Sequence, residues 1–213
     1  MVQPSRESRA AAGISRRGWL IAGLAIPLFR ARAASNLTAT YDGDNLYPVA
    51  PSLHFLTGKV LDRLRDSADI QTFVSQLTLF YEDGSLPVKP AHARFVVSYS
   101  IWEERFKVAI PGSAARSQEG LTQAEAETWC LENVAISASG LAPDKPFRMR
   151  FELRSQRQPD LSPLVGDLGI SLTSMVEIFS RKPGAGDFHQ TLETDWLRLL
   201  NLPRLTGRPA RRE

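Results

Sequence analysis

The feature of this 213-residue chain that most constrains its fold is a two-residue alternation of apolar and polar side chains, clearest over residues 147–154. Successive side chains of an extended strand point to opposite faces, so such a segment buries one face and exposes the other. The side chains expected to point inward are Phe147, Met149, Phe151 and Leu153, and those expected to point outward are Arg148, Arg150, Glu152 and Arg154. The pattern predicts a half-buried strand in an antiparallel sheet with one face on the core.

The same alternation recurs elsewhere in the chain. It predicts long strands over 70–82 and 94–102, a continuation over 106–110, a last strand over 188–194 and an edge strand over 37–41. Turn-forming residues separate these segments. Residues 112–120 are predicted to form a loop, and residues 196–202 a short apolar turn.

Apolar residues at helical spacing predict three helices. Ser52 is expected to cap a helix that runs to about residue 66. Thr122 and Glu125 form a capping box that opens a helix to about residue 133, and a third helix is predicted over 171–181. Because strands dominate and do not alternate regularly with helices, we expect an α+β fold in which an antiparallel sheet of long strands packs with about three helices.

The first 33 residues have the organisation of an export signal. Arginines precede the apolar segment 18–29, and a small-x-small sequence follows it, so cleavage is expected after Ala33. Twelve helical residues rise about 18 Å, less than the ~30 Å hydrocarbon core, so no permanent membrane span is expected. The pair Arg16-Arg17, with Ser15 before it and an apolar pair after it, resembles a twin-arginine translocation signal. An ordinary secretory signal that carries two arginines is the alternative, and either route predicts a periplasmic or extracellular protein.

The formal net charge of +3 belongs to the two ends of the chain. Residues 1–33 hold six of the 26 basic residues and one of the 23 acidic residues, which leaves 20 basic and 22 acidic residues in 34–213. The last segment, 204–213, is basic and is predicted to be a disordered tail. Residues 34–203 form the predicted single globular domain, with a net charge of −5. Such an acidic domain, without interleaved basic and aromatic residues, is not expected to bind nucleic acid.

Catalytic and cofactor-binding motifs are missing from the sequence. It contains no Gly-x-Ser-x-Gly elbow, phosphate loop, dinucleotide-binding turn or His-Glu-x-x-His pair, so no cofactor is expected. The single cysteine, Cys130, excludes an internal disulfide and is expected to be a small buried apolar residue, with a reactive thiol as the alternative.

For two sets of polar residues, metal binding is the alternative to an ordinary structural role. His54, His92 and His189 lie on separate segments and are expected to be surface or hydrogen-bonded histidines, with a metal or catalytic role as the alternative. Asp42, Asp44 and Asn45 lie in one short segment around Gly43 and are expected to form a plain turn. The alternative there is a calcium loop, because calcium prefers several oxygen ligands.

Two local patterns are candidate binding sites. Glu103 and Glu104 follow Trp102, the last residue of the predicted strand 94–102, and two carboxylates beside an indole could form an acid–base pair or bind a cation. A solvated turn is favoured, because adjacent strand residues face opposite ways. Arg148, Arg150 and Arg154 form a basic row on one sheet face that could bind an acidic partner or lipid headgroups. We expect acids of a neighbouring strand to neutralise this row.

The segment from Ser98 to Phe106, together with the preceding helix that ends at Leu64-Arg65-Asp66, resembles an uncharacterised family of exported bacterial envelope proteins over about residues 36–155. The resemblance implies an envelope location and transfers no activity and no site. The leading hypothesis is an exported, non-enzymatic module that binds an envelope protein or ligand or has a structural role, in an unknown oligomeric state. The alternatives are a small exported hydrolase that acts on envelope material and a carrier for a lipid or another apolar ligand.

Overall fold

The computed structural model describes residues 37–66, 69–112, 115–156, 179–180 and 187–205. All of them belong to the compact unit Ala33–Glu213. The predicted signal peptide, with Arg16, Arg17 and Ala33, lies outside the described residues. So does the predicted third helix, apart from residues 179 and 180, which are helical.

The described part of the chain forms two antiparallel sheets and two α-helices, so the fold is α+β, as the sequence predicts. The strands are β1 (Thr38–Tyr41), β2 (Asn45–Val49), β3 (Gln71–Tyr81), β4 (Ala91–Ser100), β5 (Arg105–Ile110), β6 (Arg116–Leu121), β7 (Ile136–Ser137), β8 (Phe147–Gln156) and β9 (His189–Glu193). The helices are α1 (Gly58–Asp66) and α2 (Gln123–Glu132), and a 3-10 turn covers Leu199–Asn201.

The larger sheet has the strand order β6-β5-β4-β3-β8-β9, and the smaller sheet has the order β1-β2-β7. At the centre of the larger sheet, β3 pairs with β8 over ten residues, from Thr72 opposite Gln156 to Tyr81 opposite Phe147. This register gives both strands a common inner face and a common outer face.

The inner face of the larger sheet packs on the two helices and the smaller sheet in one core. The predicted inward residues of β8 are buried in it, with exposures of 1% or less, so that prediction is confirmed. Phe55, before α1, contacts Phe73 of β3 edge-on, with ring centroids 4.8 Å apart. Leu37, just before β1, and Leu46 of β2 complete the core.

The second helix has the predicted start. The Thr122 hydroxyl accepts a hydrogen bond from the Glu125 N–H at 3.4 Å, and the Glu125 carboxylate accepts one from the Thr122 N–H at 2.8 Å. The Thr122 N–H and the Thr122 hydroxyl both donate to the Glu125 carboxylate, and these two bonds lower the pKa of Glu125, the backbone bond contributing most. The capping box therefore satisfies donors at the helix start, as the sequence predicts.

The start of the first helix differs from its prediction. The helix begins at Gly58 and not after Ser52, and it ends at Asp66 as expected. The backbone N–H groups of Phe55 and Leu56 both donate to a carboxylate oxygen of Glu127, each at 2.8 Å. This tertiary contact holds the segment before Gly58 outside the helix.

The sheet prediction was wrong in four respects. The described residues form two sheets, and of their strands only β3, β4 and β8 are long, with 11, 10 and 10 residues. Residues 112–120, expected as a loop, include most of β6, whose side chains are almost all exposed, so no alternation marks the strand. The strand predicted to reach residue 102 ends at Ser100.

The last described residues also differ from their prediction. Arg204 and Leu205, expected to begin the disordered tail, pair with Tyr41, whose carbonyl accepts from the Leu205 N–H at 2.8 Å. The rest of that tail lies outside the described residues. In the described part of the chain, no helix has the length and apolar character needed to cross a membrane.

Candidate functional site

The hairpin between β4 and β5 ends in an exposed turn, Ile101–Glu104, which we call the hairpin tip. Trp102 is 98% exposed and its neighbour Ile101 is 52% exposed. Glu104 has a φ of +53°, the left-handed region that favours glycine. The tip therefore combines an almost fully exposed indole with a backbone conformation that costs a non-glycine residue free energy.

The two acids of the tip do not form an acid–base pair with a histidine. Glu103 and Glu104 are both exposed, and the Glu103 N–H donates to the Ser100 hydroxyl at 3.4 Å. The three histidines are elsewhere: His54 bonds Glu127, His189 bonds Glu152, and His92 lies at the opposite end of β4. Among the described residues, the cluster that the hydrolase hypothesis requires at Glu103 or Glu104 is therefore missing.

The predicted basic row lies on the outer face of the larger sheet, and acids and aromatic rings contact it. Glu193 of the neighbouring strand β9 accepts from Arg150 Nε at 2.6 Å and lies 3.5 Å from Arg148. The expected neutralisation by a neighbouring strand is confirmed for these two arginines. Arg148 also stacks on Trp196, with its guanidinium carbon 4.6 Å from the ring centroid.

The third arginine of the row is neutralised within its own strand. Glu152 lies 2.5 Å from Arg154 and also bonds His189 Nε2 at 2.8 Å. The guanidinium of Arg154 lies 5.1 Å from the ring centroid of Phe179. Because their charges are already paired, these three arginines are poorly suited to hold an additional acidic partner.

A cavity of about 280 Å³ lies where β4 extends beyond β5. Pairing between these strands runs only from Val96 to Ser100, so the first half of β4 continues past the end of β5. His92 and Arg94 line the cavity from β4, and Asn133 lines it from the end of α2. We call this space the β4 cavity.

The polar groups of the β4 cavity are incompletely bonded. Nδ1 of His92 and Nε of Arg94 are buried and have no hydrogen-bond partner. Burial lowers the pKa of His92, because the charged imidazolium is less well solvated there. Asn133 uses one amide N–H to bond the Trp129 carbonyl at 2.8 Å, and an amide nitrogen carries a second N–H.

A buried carboxylate that the sequence did not indicate joins the two helical regions. Glu127 is 4% exposed, and its other oxygen bonds His54 Nδ1 at 2.9 Å. With the two backbone donors of residues 55 and 56, the carboxylate has three partners, which satisfies a buried charge. The sequence signal for this buried carboxylate was an acid on the buried side of the capping-box helix. It was missed because acids are expected to face solvent.

The remaining candidate residues have structural surroundings. Cys130 is buried, and burial, followed by the charge of Glu127, raises its pKa, which opposes a reactive thiolate. Asp42 accepts from the N–H groups of Asp44 and Asn45 and from the Tyr47 hydroxyl, as expected for a plain turn. Within the described ranges, no three His, Cys, Asp or Glu residues are grouped so that they could hold a metal ion.

Comparisons of the chain with known proteins found no match. No family model matches the chain, and neither a curated protein nor a solved structure matches it. The function is therefore inferred from the hairpin tip, the β4 cavity and the sequence features that predict export.

Proposed function

We propose that the protein is an exported, non-enzymatic module of the cell envelope that binds a partner protein through the hairpin tip. The observation that carries the proposal is the 98% exposure of Trp102. Tryptophan is a large apolar side chain that is strongly enriched among the residues that dominate binding energy in protein interfaces. A tryptophan that contributes almost nothing to the core of its own chain is available to fill a pocket on another.

The surroundings of Trp102 support a protein partner over a lipid bilayer. Glu103 and Glu104 follow the indole directly, and both are exposed. Anionic headgroups would repel these carboxylates, so insertion of the tip into such a membrane surface is disfavoured. The partner surface expected from this chemistry is an apolar pocket for Trp102 and Ile101 with basic groups at its rim.

The backbone of the tip supports the same conclusion. Glu104 keeps a left-handed conformation although glycine would adopt it at a lower cost. Non-glycine residues in this region are concentrated at ligand-binding and active sites. A carboxylate at this position is useful if its charge contacts the partner.

Export is proposed from the sequence. The predicted signal in residues 1–33 and the resemblance to exported envelope proteins are its basis. Replacement of Arg16 and Arg17 together by lysine should block export if the twin-arginine route is used. Fractionation of cells that express the full chain measures this, and unchanged export would favour the ordinary secretory route.

Site-specific photo-crosslinking tests partner binding. A photoreactive residue at Glu103 of the full chain, beside Trp102, should give a discrete crosslinked protein in intact cells. The matched control carries the same residue at Gln118 of the exposed edge strand β6, and it should not give that product. Adding Trp102→Ala to the Glu103 probe should reduce the product at least tenfold, because the anchor is removed. The same product from both probes, or its persistence without the indole, would contradict the proposal.

A further inference from the structure

We propose that the β4 cavity binds a small organic anion, a carboxylate or phosphate ester with a short aliphatic part, between Arg94, His92 and Asn133. This site is at the opposite end of β4 from the hairpin tip. Its ten-residue strand rises about 3.4 Å per residue, which places the two sites roughly 30 Å apart. The inference is therefore independent of partner binding at the tip.

Two buried nitrogen atoms at the cavity lack hydrogen-bond partners. Arg94 Nε always carries a proton, and here it is buried without an acceptor. Nδ1 of His92, two residues away on the same strand, is also buried and without a partner. Buried polar atoms of this kind are rare in folded proteins, because each one loses its bonds to water. An oxyanion supplies the acceptors that an arginine side chain requires.

The charge of the cavity wall also favours an anion. Among the described residues that line the cavity, none is an aspartate or a glutamate. The arginines of β8 differ in this respect, since Glu193 and Glu152 pair with them on the same sheet. Acids lie beside the three arginines of β8, whereas Arg94 lines the cavity.

The volume of the β4 cavity and its apolar lining residues also support the proposal. A water molecule occupies about 30 Å³ in the liquid, so about 280 Å³ exceeds the needs of a single small ion. Ile110, Val134 and Ala135 contribute apolar parts of the wall. Pockets of this composition bind a ligand body by apolar contact and orient it with a few polar groups. The expected ligand therefore has a charged end and a short apolar body.

The geometry assigns a role to each polar residue. Arg94 is expected to donate from its guanidinium to two oxygens of the anion. The second amide N–H of Asn133 is available as a further donor. His92 can donate from Nδ1 in the tautomer that carries the proton on that atom.

Calorimetric titration of the full chain with butyrate, butyl phosphate and butylammonium tests the proposal. We expect saturable binding of at least one of the two anions with a Kd near or below about 1 mM, and no binding of the cation. Butyrate alone would identify a carboxylate ligand, and butyl phosphate alone a phosphoryl ligand. Binding of the cation as tight as that of the anions, or no saturation by any probe at about 10 mM, would overturn the proposal.

Variants assign the binding to this cavity. Arg94→Met should weaken anion binding at least tenfold, because it removes the charge and keeps a long apolar side chain. Arg105→Met, the same change at an exposed arginine of β5 outside the cavity lining, is the matched control and should bind as the unaltered chain does. Equal affinity of the Arg94→Met chain would place the anion elsewhere and refute the site.

A measurement on the unaltered chain covers the case in which Arg94→Met does not fold. In amide NMR spectra, the titrated anion should shift the signals of Ala93 and Asn133 and leave those of the hairpin tip unchanged. Shifts confined to other regions, with these two signals static, would count against the β4 cavity as the binding site.

Discussion

The two ends of strand β4 have opposite environments. At one end the chain turns through Ile101–Glu104 and exposes 98% of Trp102 to solvent. At the other end His92 and Arg94 lie beside a cavity, and each contains a buried nitrogen without a hydrogen-bond partner. Between the two ends, Phe95 and Val97 are buried in the core. One strand thus carries an apolar group in water and polar groups out of water, with an ordinary hydrophobic segment between them.

The difference between the ends concerns how each affects folding. An exposed indole is also exposed in the unfolded chain, so its exposure has little effect on the free energy of unfolding. A buried polar atom without a partner lowers that free energy by about 1–3 kcal/mol. The tip is therefore expected to be nearly neutral for stability, whereas the cavity is expected to be destabilising. Local costs of this kind persist where a site has another use.

The largest expected effect compares two aromatic residues of this hairpin. Phe95→Ala should lower the free energy of unfolding by about 3–5 kcal/mol, because Phe95 is 1% exposed and its removal leaves a space in the core. Trp102→Ala should change the free energy of unfolding by no more than about 0.5 kcal/mol. Denaturant unfolding of the full chain measures both. A loss of more than about 1 kcal/mol for Trp102→Ala would mean that the indole packs on the folded protein in solution.

The sequence alone was sufficient to predict several elements of the fold. Alternation identified β3, β8 and β9, and the capping box identified the start of α2, because these signals arise from local geometry and from burial of one face. It failed for β6, whose exposed side chains on an edge strand leave no alternation to read. It also failed at the start of α1, where a distant residue, Glu127, decides which N–H groups stay outside the helix.

The sites were predicted unevenly for a related reason. The string Trp102-Glu103-Glu104 is contiguous, so its composition was visible before its exposure was known. The cavity combines His92 and Arg94 with Asn133, which is about 40 positions away in the chain. Only the tertiary structure brings these residues together and shows that their nitrogens lack partners. Pairing of Glu193 with the basic row likewise depends on the register of β8 and β9.

A smaller effect is expected from the backbone of the tip. Glu104→Gly should raise the free energy of unfolding by up to about 1 kcal/mol, because glycine adopts a φ of +53° with little strain. Glu103→Gly removes the same charge at a position without a positive φ and should lower the free energy of unfolding by about 0.5–1 kcal/mol. Denaturant unfolding compares the two variants. Equal changes would show that the left-handed conformation of Glu104 contributes no strain.

The smallest effect concerns the pH dependence at the cavity end. Burial holds the pKa of His92 below its ordinary value of 6.5, so the unfolded chain binds more protons than the folded chain over this range. Stability from the neutral imidazole is therefore complete above about pH 7 and is lost as the pH falls from 6.5 through the pKa of the folded state. Among the described side chains around the ring, Arg94 has the same sign as the imidazolium, and Gln76 of β3 and Phe179 are uncharged.

His92→Gln should flatten the dependence of unfolding free energy on pH between about 7 and 5, because the group that takes up the extra proton on unfolding is removed. Trp102→Ala should keep the full slope, since it removes no titratable group. Denaturant unfolding at a series of pH values, in buffers that contain no carboxylate or phosphate, measures the slopes. An unchanged slope after His92→Gln would show that the imidazole is solvated and that the two ends of β4 do not differ in this way.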